Sequence, residues 1–362
     1  MTSIKYLSCL FICCFCVTAV LPEAHAADLP EAKIIKFTSA INHHEYELHI
    51  SLPGGYSDSS KKYPVVYVLD GQWSFPYMIG INGGLYYDGL IPELIIVGIT
   101  WPGDYERNRS RDFSPTPTNE FPGSGGAPLF LQVLKKEIIS RINTDFHTEP
   151  NNNCLVGGSF SGLFIIYALL HEPTLFKGYV AGSPNIGYDN DLAFSFEKTF
   201  AKKNRELQVK LFITNGEYEE QTSYGDDIKR FVDQMKASSY KGLQLERLIV
   251  EKMGHASEAP YGHSRGLQFV YGQAEVLLDT LVLDKYTGKY KLMNDDLTIT
   301  RIEDHLYVID QKSKIKLYAK GNDSFYAKGF PGSAQFKKDN NGKVIEYIIT
   351  IGNDKLVAGK IN

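Results

Sequence analysis

The chain has 362 residues, of which 22% are charged, and its formal net charge at pH 7 is −4. A mildly acidic chain without basic clusters does not match the electrostatic pattern of nucleic-acid-binding proteins, so no nucleic-acid partner is expected. The length is sufficient for one large domain, or for a large domain and a small one.

The first 26 residues have the pattern of a secretory signal peptide. Lys5 precedes an apolar run over residues 6–21, and Ala24 and Ala26 supply a small-residue cleavage site. We expect cleavage after Ala26, a periplasmic or secreted protein, and no membrane span in the mature chain; an uncleaved membrane anchor is the alternative. The segment holds four of the five cysteines, so the mature chain would keep Cys154 and form no internal disulfide.

Strand-like and helix-like segments alternate between Lys33 and Leu283. Predicted strands are residues 46–52, 64–69, 94–100, 154–156, 178–181, 209–214 and 245–251. Several are continuous apolar runs, which suit strands buried on both faces of a mostly parallel sheet. Amphipathic helices are predicted at residues 128–146, 226–237 and 263–278. Residues 27–283 are therefore predicted to form an α/β domain whose functional residues collect at the carboxyl ends of the strands.

Residues 284–362 follow a different pattern, with short strands and frequent turn signals. Strands are predicted at residues 297–302, 305–309, 315–319, 324–328, 334–337 and 344–351. No helical pattern interrupts them. We predict a separate small antiparallel β domain, either a meander or a partial barrel.

Residues 154–166 combine a short apolar strand, a glycine-flanked serine and the start of an apolar helix. This is the pattern of a nucleophile elbow, and Ser159 is the candidate nucleophile. Gly157 and Gly158 would allow the tight turn, while Ser161 and Gly162 would let the helix pack closely against the strand. Ser161 stands where a second glycine is usual. The alternative is an ordinary Gly/Ser loop.

A serine nucleophile needs a base and an acid that orients it, and on such a sheet they follow in the order Ser, Asp/Glu, His. His255 follows the last predicted strand of the sheet and is the favoured base, with His263 as its competitor. For the acid, the favoured residue is Glu219, then Glu217; Glu220 is the third carboxylate of this turn. The alternative is a solvated acidic turn.

Acyl transfer also needs two backbone N–H groups that stabilise the oxyanion. Phe160, directly after the serine, supplies one, and Gln72 is expected to supply the other from the turn after an early strand. Gly71 would relieve that turn. Trp73 is a candidate for lining a substrate cleft, although a tryptophan beside a strand can equally belong to the core.

Two arginines could bind a substrate anion through the planar guanidinium group. Arg111 is favoured over Arg109 for substrate contact. The alternative is that Arg111 pairs with Asp112 or another nearby carboxylate.

Six motifs occur in order within residues 30–280: YPVVYVLDG at 63–71, RSRD at 109–112, SGG at 124–126, GGSFSGLF at 157–164, AGSP at 181–184 and GHAS at 254–257. This series resembles the Putative esterase family of α/β-hydrolases. That family includes the bacterial enterobactin and salmochelin trilactone esterases and is related to esterase D and the mycolyltransferases. From Tyr286 onward the chain resembles a small β domain often appended to exported bacterial serine hydrolases.

The resemblance implies an α/β-hydrolase fold and a carboxylic ester hydrolase with Ser159 as nucleophile, His255 as base, and the amides of Phe160 and Gln72 around the oxyanion. Some similar trilactone esterases are described as relying on a Ser–His pair with a weakly placed acid, which leaves the role of Glu219 open.

Together these features predict an exported serine hydrolase that forms an acyl-serine intermediate, without a metal or organic cofactor. By resemblance, its substrate would be a small-molecule ester of the siderophore type or a related one. The alternatives are an acyltransferase, a general short-acyl esterase, or a catalytically silent binding protein. The oligomeric state is left open.

Overall fold

The computed structural model describes residues 32–361 except 55, 58–59, 274, 311–312, 331 and 352–353. The predicted signal peptide, residues 1–26, lies outside the described residues. The chain forms two compact units, one of Pro30–Gly83 with Glu93–Tyr271 and one that contains Gly84–Pro92 and Gly272–Asn362. The domain limits proposed from the sequence stay predictions. Within the described ranges, no helix combines the length and apolar character needed to cross a membrane.

The larger unit is built on an eight-stranded, mostly parallel sheet. Its strands are β1 (Lys33–Thr38), β2 (Glu45–Ser51), β3 (Tyr63–Val68), β4 (Ile95–Thr100), β5 (Thr148–Gly158), β6 (Gly178–Gly182), β7 (Lys210–Gly216) and β8 (Gln244–Val250). The strand order is β1-β2-β4-β3-β5-β6-β7-β8. The β1–β2 and β2–β4 pairs are antiparallel, and all pairs from β4 to β8 are parallel. Every residue of β3 and β4 is buried, as their continuous apolar runs predict.

Helices connect the strands of the sheet. They are α1 (Gly71–Tyr87), α2 (Tyr105–Phe113), α3 (Ala127–Val133), α4 (Ile139–Asp145), α5 (Phe160–His171), α6 (Tyr188–Lys203), α7 (Ser223–Ala237) and α8 (Ala259–Tyr271). Residues 161–170 of α5 are all buried, because this helix is apolar on every side. The predicted α/β-hydrolase fold is thus confirmed.

Several local predictions need correction. The segment predicted as one helix at residues 128–146 contains a π-helical turn, Leu134–Ile138, between α3 and α4. The helix predicted to reach residue 278 ends at Tyr271, directly before Gly272. Strand β5 begins six residues earlier than predicted, because its polar start at Thr148 pairs with Tyr63 of β3. The sequence pattern also missed α1, whose interior contains Pro76.

The smaller unit contains a closed antiparallel barrel, which confirms the predicted β domain and corrects its form from a meander or partial barrel. A short helix α9 (Thr280–Asp284) precedes the barrel strands β9 (Gly288–Leu292), β10 (Asp295–Ile302), β11 (His305–Ile309), β12 (Lys314–Ala319), β13 (Ser324–Tyr326), β14 (Ser333–Lys338), β15 (Val344–Ile351) and β16 (Asp354–Ile361). Strands β9 and β16 were not predicted. They close the barrel, because β9 pairs with both β10 and β16. Aromatic side chains, among them Tyr290, Phe336 and Tyr347, fill part of its core.

Candidate active site

Ser159 lies between the last residue of β5 and the first residue of α5. Its backbone has φ 59° and ψ −117°, a conformation that is unfavourable for a residue with a side chain and costs about 1–3 kcal/mol. Two hydrogen bonds hold it there: the Ser159 amide donates to the Gly182 carbonyl at 2.9 Å, and the Asn185 amide donates to the Ser159 carbonyl at 3.1 Å. Local strain of this kind is typical of a nucleophile elbow.

The residues around Ser159 have the small size that the turn requires. A Cβ atom on Gly157 would lie 2.6 Å from the Ser161 hydroxyl, and one on Gly162 would lie 2.8 Å from the Cα atom of Pro184. Ser161, which replaces the usual second glycine, is fully buried. Its hydroxyl accepts a hydrogen bond from the Gly158 amide at 2.8 Å, so the extra atoms of this side chain are accommodated within the turn.

The structure brings His255 and Glu219 together. The His255 Nδ1 atom lies 2.7 Å from Glu219 Oε1. The other two carboxylates of the turn have different partners: Glu217 accepts a hydrogen bond from the Lys252 amide at 2.6 Å, and Glu220 pairs with Arg247. Of the three candidate acids, Glu219 is therefore the one in contact with the imidazole.

Glu219 has an environment that keeps it charged. Its Oε2 atom accepts hydrogen bonds from the Ser183 hydroxyl at 2.6 Å and from the Gly216 amide at 2.7 Å. Burial alone would raise the pKa of Glu219, but hydrogen bonds from His255, Ser183 and Gly216 outweigh it and hold the pKa below its ordinary value. A charged carboxylate at this position would orient the imidazole and stabilise its protonated form.

The competing histidine, His263, has a different setting. It is 1% exposed, and its Nδ1 atom lies 2.9 Å from the Tyr77 hydroxyl. Burial lowers the pKa of His263 to about 4, so this ring is neutral at physiological pH. The His255 side chain is 45% exposed and can be reached by a substrate.

Tyr224 is a residue of the site that the sequence did not indicate. Its hydroxyl donates to the Ser183 carbonyl at 2.8 Å and is hydrogen-bonded to the Ser159 side chain. Its ring packs edge-on against the His255 ring, with centroids 5.0 Å apart. Tyr224 therefore contacts both the candidate nucleophile and the candidate base. No motif marks it, because it is an ordinary second residue of α7.

The two candidate oxyanion amides belong to the first turns of two helices. Phe160 is the first residue of α5 and Gln72 is the second residue of α1. Amides in the first turn of a helix have no partner within that helix. Strands β3 and β5 are parallel neighbours, so these helix N-termini lie at the same edge of the sheet. Gly71 is required where the chain turns from β3 into α1, since a Cβ atom there would lie 2.8 Å from the Ile99 carbonyl oxygen.

Asp70, directly before that turn, connects the two helix N-termini. The Arg109 guanidinium donates to both Asp70 oxygens, at 2.8 and 3.0 Å, and the Ser161 hydroxyl donates to Asp70 Oδ2 at 2.7 Å. The Tyr105 hydroxyl donates to Oδ1 at 2.6 Å. Arg109 also donates to the Gly158 carbonyl at 3.3 Å. Asp70 thus links the turn that holds Gln72 to the elbow.

The predicted substrate-binding residues differ in their surroundings. Trp73 is 57% exposed, so it lies at the surface and not in the core, with its ring 4.7 Å from that of Tyr105. Arg111 pairs with Asp112 at 2.7 Å and donates to Asn108 at 2.6 Å, as the alternative interpretation of this residue expected. A substrate role for Arg111 stays a prediction.

A cavity of about 230 Å³ lies beside the elbow. Its walls include Phe160, Phe121, Arg107 and Arg109. The Phe160 and Phe121 rings pack edge-to-face, with centroids 4.7 Å apart. One wall of this cavity is thus Phe160, the residue after the candidate nucleophile in the chain.

The fold and the arrangement of these side chains define the class: an α/β-hydrolase with a serine at its elbow and an imidazole–carboxylate pair in its active-site region. The family described as Putative esterase matches residues 39–257, which is more than half of the chain. The chain belongs to this family, and the resemblance seen in the sequence motifs is confirmed.

Particular relatives agree with this assignment. Ferri-bacillibactin esterase BesA of Bacillus subtilis strain 168 is 27% identical over 268 residues, which cover 68% of this chain and 91% of BesA. The siderophore triacetylfusarinine C esterase of Aspergillus fumigatus is 24% identical over 194 residues, which cover 48% of this chain and 64% of the relative. The crystal structure of an IroE-like serine hydrolase from Shewanella oneidensis has a TM-score of 0.62 at 27% identity and covers 71% of this chain and 86% of its own. The protein is an ester-hydrolysing enzyme.

Proposed function

We propose that the protein is an exported serine esterase that hydrolyses siderophore-type esters through an acyl-serine intermediate. The observation that carries the serine mechanism is the 2.7 Å contact between His255 and Glu219, in a site where Tyr224 contacts both His255 and Ser159. Export is proposed from the sequence of residues 1–26 alone.

The proposed reaction begins when the Ser159 oxygen attacks the acyl carbon of the ester. The Nε2 atom of His255 takes the serine proton, and the negative charge of Glu219 stabilises the imidazolium that forms. The amides of Phe160 and Gln72 donate to the oxyanion of the tetrahedral intermediate, each contributing about 3 kcal/mol to its stabilisation.

The intermediate then collapses. The bond to the alcohol oxygen breaks, His255 returns its proton to that alcohol, and the acyl group stays on Ser159. In the second half, His255 takes a proton from water as the water attacks the acyl-serine. The second tetrahedral intermediate collapses, the bond between the acyl carbon and the Ser159 oxygen breaks, and His255 returns its proton to that oxygen, which releases the acid and restores the serine hydroxyl.

The substrate class is proposed from the relatives, whose names state a ferri-bacillibactin esterase and a siderophore triacetylfusarinine C esterase. The exposed Trp73 ring and the cavity beside Phe160 support binding of a large ester, because the Trp73 and Phe160 rings both face Arg109, which donates to the Gly158 carbonyl of the elbow. We propose that Trp73 contacts the substrate.

Fluorophosphonate labelling tests the nucleophile, since an activated serine reacts with this probe far faster than an ordinary one. The wild-type protein should be labelled, and Ser159→Ala should not. Ser140→Ala, which alters an exposed serine of α4, is the matched control and should label like the wild type. Undiminished labelling of Ser159→Ala would contradict the proposal, and absence of label in the wild type would favour a silent binding protein.

Product analysis separates hydrolysis from acyl transfer. Steady-state assays on p-nitrophenyl acyl esters, with and without an added alcohol, should give mainly free acid. Transfer products in excess over free acid would identify an acyltransferase. A siderophore trilactone should have a higher kcat/KM than short-acyl esters, and the reverse order would identify a general esterase.

A further inference from the structure

A second buried carboxyl group, Glu258, lies near the candidate acid Glu219, with the Ser183 hydroxyl between them. It is 1% exposed, and its Oε1 atom is 3.4 Å from the Ser183 hydroxyl, which itself donates to Glu219 at 2.6 Å. Two glycines make room for it. A Cβ atom on Gly182 would lie 2.7 Å from Glu258 Oε1, and one on Gly262 would lie 2.4 Å from Oε2. The backbone is therefore shaped around this carboxyl group.

The groups around Glu258 do not compensate a negative charge. No ion pair among the described residues involves Glu258, and the groups that can hydrogen-bond to it are the neutral hydroxyls of Thr214 and Ser183. The titratable groups that face it are Glu219 from the turn after β7, His255 from its own loop, His263 from α8, Tyr77 from α1 and Tyr224 from α7.

These surroundings keep Glu258 protonated. Burial, reinforced by the negative charge of Glu219, raises the pKa of Glu258 to about 7. His263 is neutral, as described above, and supplies no positive charge. At and below neutral pH much of the Glu258 population is therefore the uncharged acid, which can donate a hydrogen bond.

The Ser183 hydroxyl connects the two carboxyl groups, and it has a single proton. When that proton is donated to Glu219, the Ser183 oxygen is free to accept one from a protonated Glu258. This forms a chain of donors from Glu258 through Ser183 to Glu219, which holds His255. An ionised Glu258 cannot donate, and it competes with Glu219 for the Ser183 proton.

We propose that Glu258, as an uncharged acid, is a positioning residue for Glu219 and His255, and that its ionisation weakens catalysis on the alkaline side. The proposal rests on the proposed function, in which His255 is the base. Once Glu258 is ionised, the added negative charge retains the imidazolium proton that must pass to the leaving alcohol. The Ser183 bond that holds Glu219 in place is weakened at the same time.

The test is the pH profile of kcat/KM from pH 5 to 9.5 for the wild type and for Glu258→Gln. The glutamine amide can donate to Ser183 at every pH. We expect kcat/KM of the wild type to decline about tenfold above pH 7, as for one misplaced hydrogen bond. Glu258→Gln should stay within about threefold of the wild type at pH 6 and should lack this decline. Glu197→Gln is the matched control: it alters another carboxyl that is 1% exposed, bonded to Tyr240 and Gln234, and should keep the wild-type profile.

A second measurement is independent of turnover. The NMR resonance of the His255 Nδ1 proton should show a transition in the wild type as Glu258 ionises, and this transition should be absent in Glu258→Gln. The proposal would be overturned if kcat/KM declined equally above pH 7 in the wild type and in Glu258→Gln. A tenfold lower kcat/KM in Glu258→Gln at all pH values would also overturn it. If the proposed serine mechanism itself were wrong, the result would be different: Ser159→Ala would retain activity.

Discussion

Asp70→Asn is the substitution that most directly tests how the site is held. Asp70 is 4% exposed and accepts hydrogen bonds from the Arg109, Tyr105 and Ser161 side chains. Asparagine keeps the shape and one acceptor oxygen but removes the charge that compensates Arg109, whose side chain is 11% exposed. Asparagine also tolerates the positive φ of 53° at this position, so backbone strain is not part of the comparison.

The expected loss follows from the burial of this pair. Removing one partner of a buried ion pair destabilises a protein by about 3–5 kcal/mol, because the remaining charge is left uncompensated. Since asparagine retains part of the hydrogen bonding, we expect a loss near the lower end, about 3 kcal/mol in the free energy of unfolding. Asp70→Ala should lose more, because it removes every acceptor and disfavours the positive φ.

Urea unfolding followed by tryptophan fluorescence measures this loss. The chain has two tryptophans, Trp73 and Trp101, and both lie in the larger unit, so the signal reports on the unit that contains Asp70. Asp233→Asn is the control, because Asp233 and its partner Lys229 are about 60% exposed and an exposed pair of this kind contributes little to stability.

The second part of this prediction concerns the kinetics of Asp70→Asn. The turn after Asp70 holds the Gln72 amide, so Asp70→Asn should also lower kcat by about tenfold or more, with KM less affected. A loss of less than about 1 kcal/mol in stability would refute the reasoning about the buried pair. An unchanged kcat would refute the link between Asp70 and the oxyanion amides.

Three further predictions concern the acid, the tyrosine and the second carboxyl. Glu219→Gln should lower kcat by about 10³–10⁴-fold in steady-state assays, whereas Glu217→Gln should change it by less than about threefold. Tyr224→Phe should lower kcat by about tenfold and the free energy of unfolding by about 1 kcal/mol, because it removes the hydrogen bonds to Ser159 and to the Ser183 carbonyl. Folded Glu258 keeps its proton up to about pH 7, whereas the unfolded residue releases it near 4.5. Relative to Glu258→Gln, the wild type should therefore lose about 3 kcal/mol of stability as pH rises through this window, measured by urea unfolding.

Each of these has an outcome that would contradict it. Equal losses for Glu217→Gln and Glu219→Gln would mean that contact with the imidazole is not what makes the acid important. Full activity of Tyr224→Phe would reduce Tyr224 to a packing residue. A pH-independent stability difference for Glu258→Gln would show that the buried carboxyl does not bind its proton more tightly in the folded protein.

The parts of the molecule that the sequence predicted are those encoded over a few adjacent residues. Strands β3 and β4 are continuous apolar runs, and burial on both faces needs no further information. The elbow is also recognised locally, because Gly157 is required by the Ser161 side chain four residues further on. The sequence did not predict the closed barrel, since closure depends on the pairing of β9 with β16, which joins distant parts of the chain.

The choice among chemically equivalent side chains was decided by the tertiary structure. The sequence by itself determined that a serine, a histidine and an acidic turn occur in the right order, and it favoured Glu219, but no sequence pattern showed which of the three carboxylates contacts the histidine. Only the folded turn directs Glu219 toward His255 while Glu217 and Glu220 bind elsewhere. The same holds for Asp70 and Glu258, whose partners are far away in the chain, because contacts between distant residues depend on how the strands and helices pack.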